Sequence, residues 1–447
     1  MRAVSRVRGW LPQGHLGRGV LTLMAASTIA EAISAASAPI ITRLYAPAEV
    51  GTYAVAISLL AILVTISTLS YQFAIPLPES AIGAANVVAL CLGAALAVSA
   101  VSGVVLWLAG PQFFGLIGTA VLSRYAMLLV LGQIVGASLV TLSYWAVRAK
   151  KFSAIAATNL TQTATTVAVQ TGLGVARVGA FGLLVGYVTG SLLGSIRLAR
   201  AAWQIDSAAL RGVTRQGVLA AARRYRRFPI FSLPSSIVNT VGQQAPLLFL
   251  VALYGTAVGG RYALADRLLG VCVALVSESV GQVFFAEGAR VVREQPAALR
   301  ALFWRTTRTL ALAGVGPFAL IAVFAPVLAG PVFGKEWSDL GLFVAILVPM
   351  YFAVFVTNPT GSTLDFLERQ ELQFVLGILR AGLLSGAVIV STVLHLPPMG
   401  AVGLLSVAGC LTYGAFGVGS WYAIRAHARP VPRGLGGGDA PDLRPGA

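Results

Sequence analysis

Twelve times along this chain, a stretch of about 20 residues passes with almost no charge. That is the length an α-helix needs to cross the hydrocarbon core of a bilayer. The stretches lie near residues 20–42, 50–72, 82–109, 124–146, 153–175, 179–200, 229–253, 261–286, 306–329, 340–363, 371–394 and 399–425. Each is apolar all round and too long for a barrel strand, so helices are the form that satisfies the backbone in lipid. Only 11% of the 447 residues are charged, whereas a soluble domain carries roughly 25%. The sequence predicts an all-α integral membrane protein with about 12 transmembrane helices.

Loop cations predict the orientation. Of the 32 Lys and Arg residues, 25 fall at one set of span ends, including both terminal segments and eight arginines between Arg197 and Arg227. Five fall at the opposite ends (Arg43, Arg124, Arg177, Arg261 and Lys335), and Arg267 and Arg380 lie within spans. Both termini are expected in the cytoplasm, with the chain in a bacterial inner membrane. The formal charge of +17 is then explained by membrane anchoring, and no nucleic-acid partner is expected. The N-terminal stretch lacks a short apolar core with a cleavage site, so the first apolar run is expected to be a span and not a removed signal.

A short connector is written twice. "LYAPAEVGTYA" (44–54) and "LYGTAVGGRYA" (253–263) share six of eleven residues, 209 positions apart. "LAGP" likewise recurs at Leu108–Pro111 and Leu328–Pro331. The echoes agree in order and side. They predict two six-helix bundles related by a parallel pseudo-two-fold repeat, an organisation transporters use with the substrate path between the halves. The expected divisions are a basic arm 1–19, a first bundle 20–202, a basic linker 203–228, a second bundle 229–428 and a tail 429–447. In the linker, Leu210, Val213 and Gly217 suit one face of an interfacial helix.

Polar residues inside spans mark candidate function. Span 1 carries Ser27, Glu31 and Ser34, span 5 carries Asn159, Gln162, Thr166 and Gln170, and span 7 carries Ser232, Ser236, Asn239 and Gln243. Spacings of three and four put each set on one helical face. Such stripes either glue helices together or line a hydrated cavity. Asp266, Arg267, Glu278 and Arg380 add charge within the membrane; the guanidinium groups match phosphate geometry. Pro39, Pro234 and Pro246 interrupt spans 1 and 7 and are candidate hinges. The cysteines lie in apolar stretches and the three histidines are far apart, so no disulfide framework, metal site or Ser/His/Asp set is expected. There is no nucleotide-binding loop, no cofactor is expected, and loops on the outer side are too short to house an enzyme.

Several blocks resemble one family. "ITRLYAPAEVGTYA", "RYRRFPIFSLPSSIVNTVGQQAPLLFLVALYGTAVGGRYALADRLLG", "VGQVFFAEGAR", "SYWAVRAKKFSAIA", "FGKEWSDLG" and "LERQELQF" are similar to motifs of the polysaccharide flippases. These belong to the multidrug/oligosaccharidyl-lipid/polysaccharide exporter superfamily. The resemblance covers roughly residues 20–395 and implies flipping of a polyprenyl-pyrophosphate-linked oligosaccharide by alternating access. Arg224 to Pro229, Pro234, Asn239, Gln243, Pro246, Arg267 and Gln282 match the family pattern. Asp266 and Glu278 depart from it by adding negative charge. Arg267 and Arg380 are expected to offset the phosphate, with Asn239 and Gln243 along the sugar path. The implied partners are the lipid-linked oligosaccharide, membrane lipids and the glycan polymerase and glycosyltransferase machinery, with the chain acting as a monomer. The alternatives are a cation-coupled drug antiporter, in which Glu31 or Asp266 exchanges the cation, and a non-transporting scaffold.

Overall fold

The computed structural model describes residues 15–116, 118–295, 298–367 and 369–427. Most of the expected basic arm and the expected tail lie outside the described residues. Helices α1 (His15–Leu44), α2 (Pro47–Ser67), α3 (Ala81–Leu116), α4 (Ala126–Arg148), α5 (Phe152–Val175) and α6 (Ala180–Arg211) form the first half. A short α7 (Arg215–Arg224) links it to α8 (Leu233–Tyr254), α9 (Thr256–Glu294), α10 (Leu299–Phe333), α11 (Leu340–Gly361), α12 (Gln370–Val393) and α13 (Pro398–His427). The twelve long helices coincide with the twelve expected spans, and no strand occurs among the described residues. The chain is a multi-pass membrane protein. His15 and His427 end on one side, here the terminal side; the repeated connectors lie on the other.

Ten of the long helices are apolar enough to cross a membrane by length and composition; the other two are α5 and α9. Both are covered by neighbours: α5 packs along α1 and α6, and α9 along α2 and α11. The halves are not packed identically. In the first, α1 lies along α5, whereas its counterpart α8 barely meets α12 and leans instead on α2 of the other half.

The repeated connectors meet each other. Gly51 and Gly260 occupy equivalent positions in the two copies, and there α2 and α9 approach so closely that no side chain fits. A methyl built at Gly51 would overlap the carbonyl oxygen of Thr256, and one at Gly260 that of Pro47. Small residues permit such backbone contact between helices in lipid. The shared tyrosines latch each connector to its own half. Tyr45 Oη donates to the Gln170 carbonyl at 2.7 Å, and Tyr254 Oη to the Leu396 carbonyl at 2.8 Å. These acceptors lie near the end of α5 and just past the end of α12, which are spans 5 and 11, so the latch itself is repeated. Burial, with a smaller contribution from Glu49, pushes the Tyr45 phenol up to about 12, so it stays a donor at physiological pH. Between the halves, the fully buried Trp337 of "FGKEWSDLG" donates Nε1–H to the Thr42 carbonyl at 2.9 Å. Arg43 reaches the Pro331 carbonyl at 3.2 Å. The connector side is closed.

The linker differs from expectation. Helix α6 runs past the membrane to Arg211 and leaves helical geometry only at Asp206 (φ −154°, ψ 67°), whose carboxylate accepts the Ala209 N–H at 2.9 Å. Thr214 then caps α7 by accepting the Gly217 N–H at 3.0 Å. Leu210 and Val213 thus precede the second helix and do not share a face with Gly217. They pack on the core around Tyr71, Ile75 and Trp145, while Asn86 Oδ1 accepts the Thr214 N–H at 3.1 Å. Apolar burial against the first half, more than a lipid surface, positions this segment.

Two outcomes follow from the connector contacts. Gly51→Ala and Gly260→Ala each lower the melting temperature in detergent by several degrees, whereas Gly242→Ala, which has open space around it, does not. Tyr45→Phe costs about 1 kcal/mol, the usual net worth of one hydrogen bond.

Candidate functional site

Two cavities at membrane depth collect several of the polar and charged side chains. The first, of about 370 Å3, lies between the halves. Ser34 of α1, Tyr53 and Ser58 of α2, Gln162 and Thr166 of α5, Gln244 of α8 and Arg267 of α9 line it. The two helices too polar to count as spans by composition, α5 and α9, therefore both face this space. Arg267 donates to the Ser34 hydroxyl across it. Glu31 is exposed and lies on the same face of α1, between Ser27, which Asn159 of α5 contacts at 3.3 Å, and Ser34. Glu31 is not among the residues that line this cavity.

The second cavity, of about 270 Å3, is inside the C-terminal half. It lies between α8 and α12, which barely meet. Gln243 and Pro246 of α8, Tyr262 and Asp266 of α9, Tyr351 of α11, Arg380 of α12 and Tyr413 of α13 line it. Tyr351 donates its hydroxyl to Asp266. Asp266 and Arg267, neighbours in sequence, thus serve different compartments, because successive helical residues point about 100° apart. The same holds for Gln243, in the C-terminal cavity, and Gln244, whose Oε1 accepts from Ser58 Oγ at 2.8 Å across the halves.

These placements sort the expected site residues. Gln162 and Arg267 meet in the central cavity; Gln243, Asp266, Arg380 and Pro246 meet in the second; Glu31 lines neither. Arg267 and Arg380, expected at one phosphate, line separate cavities: Arg267 is on the face of α9 that looks between the halves, whereas Arg380 shares the C-terminal cavity with Asp266 on the neighbouring face. Asn159 serves as interhelical glue to Ser27, and Gln162, besides lining the cavity, donates to Ser191 at 3.0 Å. Asn239 and Gln282 are exposed and line neither cavity. The side chain of Glu278 lies outside the described residues. Of the candidate hinges, Pro39 sits inside an unbroken α1, and Pro246 inside α8. Pro234 follows a wide helical turn at Phe228–Ser232 that leads into α8. Sequence reasoning missed Tyr351 and Tyr413 of the second cavity and, in the central one, Gln244 and Tyr187 of α6. Among the described residues, no cluster of three or more His, Cys, Asp or Glu suits a metal ion.

The glue and the cavity groups separate by experiment. Asn159→Ala and Gln170→Ala, the latter removing a 2.9 Å bond to the Leu183 carbonyl, each lower stability by about 1 kcal/mol. Arg267→Ala removes a largely exposed side chain and leaves the melting temperature within error of the parent.

Residues 40–341 match the family described as polysaccharide biosynthesis protein. No curated protein matches at sequence level. Among solved structures, the chain is similar to the lipid II flippase MurJ in an inward closed conformation. That match has 12% identity and a TM-score of 0.68, over 90% of this chain and 86% of that one. It is also similar to an inward-facing multidrug resistance MATE family transporter of the MOP superfamily, with 15% identity, a TM-score of 0.61, and 91% and 95% coverage. A MOP superfamily transporter from Pyrococcus furiosus matches at 15% identity and a TM-score of 0.59, over 94% and 98%. Its binding pocket is described as having reverse polarity. By the extent of the family match, this chain belongs to the polysaccharide biosynthesis protein family, on the fold of the MOP superfamily transporters.

Proposed function

We propose that this protein flips a polyprenyl-pyrophosphate-linked oligosaccharide between the leaflets of the bacterial inner membrane by alternating access. The observation that carries this reading is the central cavity, where Arg267 stands among neutral hydroxyls, amides and tyrosines, with aliphatic side chains such as Val50, Ile57 and Leu247 completing the wall. A guanidinium presents paired donors that suit a phosphate, and hydroxyl and amide groups suit a sugar. A pyrophosphate-sugar taken through hydrocarbon without such a path faces a prohibitive desolvation cost. Closure of the connector side, through Gly51, Gly260 and Trp337, fits a state that accepts the headgroup from the terminal side, which the loop cations make the cytoplasmic one. Reversal requires the α2–α9 contact to part. Pro246 in α8 and the wide turn before Pro234 are suitable bending points.

A second reading is favoured by the C-terminal cavity. Asp266, with Tyr351 on its carboxylate and Arg380 on the same cavity wall, suits exchange of a coupling proton or cation. It serves flipping as an energy source or, without a lipid substrate, drug antiport. Polyprenyl-linked saccharides extracted from a strain lacking the chain separate these readings. The flippase reading expects one to accumulate on the cytoplasmic face, cleared by the intact chain but not by Arg267→Ala. Asp266→Asn is expected to slow clearance without abolishing binding of the saccharide. Normal saccharide levels with altered sensitivity to cationic drugs would sink the flippase reading in favour of the antiporter.

A further inference from the structure

An apolar groove of about 540 Å3 lies against the outside of the central cavity. It is lined by α2 from Leu59 to Ile66, by one face of α3 from Val98 to Phe114, by Leu129 of α4 and by Leu248 of α8. The α3 positions recur at spacings of three and four, one continuous stripe about 24 Å long at 1.5 Å per residue. Its floor is core, since Phe114 and Leu129 are fully buried, while Val101 and Val105 stand 64% and 55% exposed as its rim. The one hydroxyl on its lining, Ser102, is engaged by Gln133 at 3.2 Å.

The groove touches the central cavity residue by residue. Ser58 and Leu247 line the cavity; the next residues, Leu59 and Leu248, line the groove. Between them runs the seam of α2 and α8, which joins the two halves. Two neutral hydrogen bonds cross it, Ser58 to Gln244 at 2.8 Å and Thr65 with Thr240 at 3.2 Å. Such bonds are worth only about 0.5–1.5 kcal/mol each, little enough for the seam to open.

Resting on the flippase reading, we infer that this groove holds the isoprenoid tail of the substrate while its headgroup occupies the central cavity. The α2–α8 seam is the slit through which the linking pyrophosphate passes. An amphiphile has two parts that cannot share a compartment. The sugar is costly to place in hydrocarbon, and each tail methylene costs about 0.8 kcal/mol to bring into water. A carrier for it therefore needs a polar and an apolar compartment in contact along a line, and the α2–α8 seam supplies that contact. Because bilayer chains are as apolar as the groove, selection of the tail rests on shape. The branched, unsaturated chain is held against a groove floor of packed Phe114 and Leu129, and its headgroup fixes its register.

The test uses the full chain in phosphatidylethanolamine–phosphatidylglycerol vesicles. The probe is a polyprenyl diphosphate saccharide carrying a diazirine in the first isoprene units. Labelling is expected on α2 and α3 of the groove and near Leu248, competed by unlabelled lipid-linked saccharide and not by excess phospholipid. Val101→Trp and Val105→Trp fill the exposed rim without touching the core. Each is expected to cut labelling and flipping of the long-tailed lipid at least tenfold. Each should leave the Kd of the same headgroup on a two-isoprene tail unchanged. Labelling elsewhere, equal competition by phospholipid, or wild-type flipping in both variants overturns the tail site. The short-tailed analogue keeps the two readings apart. If the parent chain binds it while the groove stays unlabelled, the tail site alone fails; if the parent neither binds it nor flips the long form, the flippase reading fails too.

Discussion

A polar group inside a bilayer must find a partner or water, and the architecture follows from how this chain meets that requirement. Ten long helices are apolar enough to face lipid; α5 and α9 are not. Each of those two is packed between other helices, and the face left over looks into the central cavity. Asn159 and Gln170 satisfy themselves on neighbouring helices, whereas Arg267 reaches Ser34 across the space. Polarity therefore decides both where these helices sit and where the hydrated path runs.

The duplicated connector answers a second constraint. A carrier of two similar halves must close one side firmly yet reversibly. Here the closure is backbone on backbone, at paired glycines, with Trp337 filling the space behind Thr42. Such a contact relies on van der Waals fit in lipid, so a small rotation of one helix is enough to lose it. The Tyr45 and Tyr254 latches stay within their own halves, so each connector moves as a rigid part of its bundle. Further along the same face of α2, one and two heptads beyond Gly51, the seam with α8 relies on side-chain hydrogen bonds of Ser58 and Thr65 and borders an apolar groove. The two ends of one face of the same helix are thus held by different forces, close backbone fit at Gly51 and side-chain hydrogen bonds at Ser58 and Thr65.

Much of this was legible in the sequence because lipid punishes charge so heavily. The twelve spans come from charge-free runs and their boundaries, and the repeat from the duplicated connector and the recurring "LAGP". What was not legible were partners that leave no trace in sequence. The tyrosine latches end on backbone carbonyls, which every residue has. The separation of Asp266 from Arg267, and of Gln243 from Gln244, follows from helical rotation, but choosing which neighbour faces which cavity needs the packing of α8 against α2 and away from α12. The pairing of Arg267 with Arg380 failed for the same reason. Asn239 and Gln282 have the chemistry of a lining residue and lie outside both cavities. The linker was misread because Leu210 and Val213 looked like a lipid-facing stripe, when the core around Trp145 claims them.

Everything in this account turns on the α2–α9 contact opening during the cycle. A disulfide placed across it, with one cysteine near Gly51 and one near Gly260 in a chain otherwise free of cysteine, locks the connector side. Flipping of the lipid-linked saccharide in vesicles, measured before and after reduction, then tests the account directly. The prediction is no flipping by the oxidised protein, binding of the headgroup still intact from the terminal side, and recovery on reduction. Flipping at the parent rate while the crosslink is complete would contradict it.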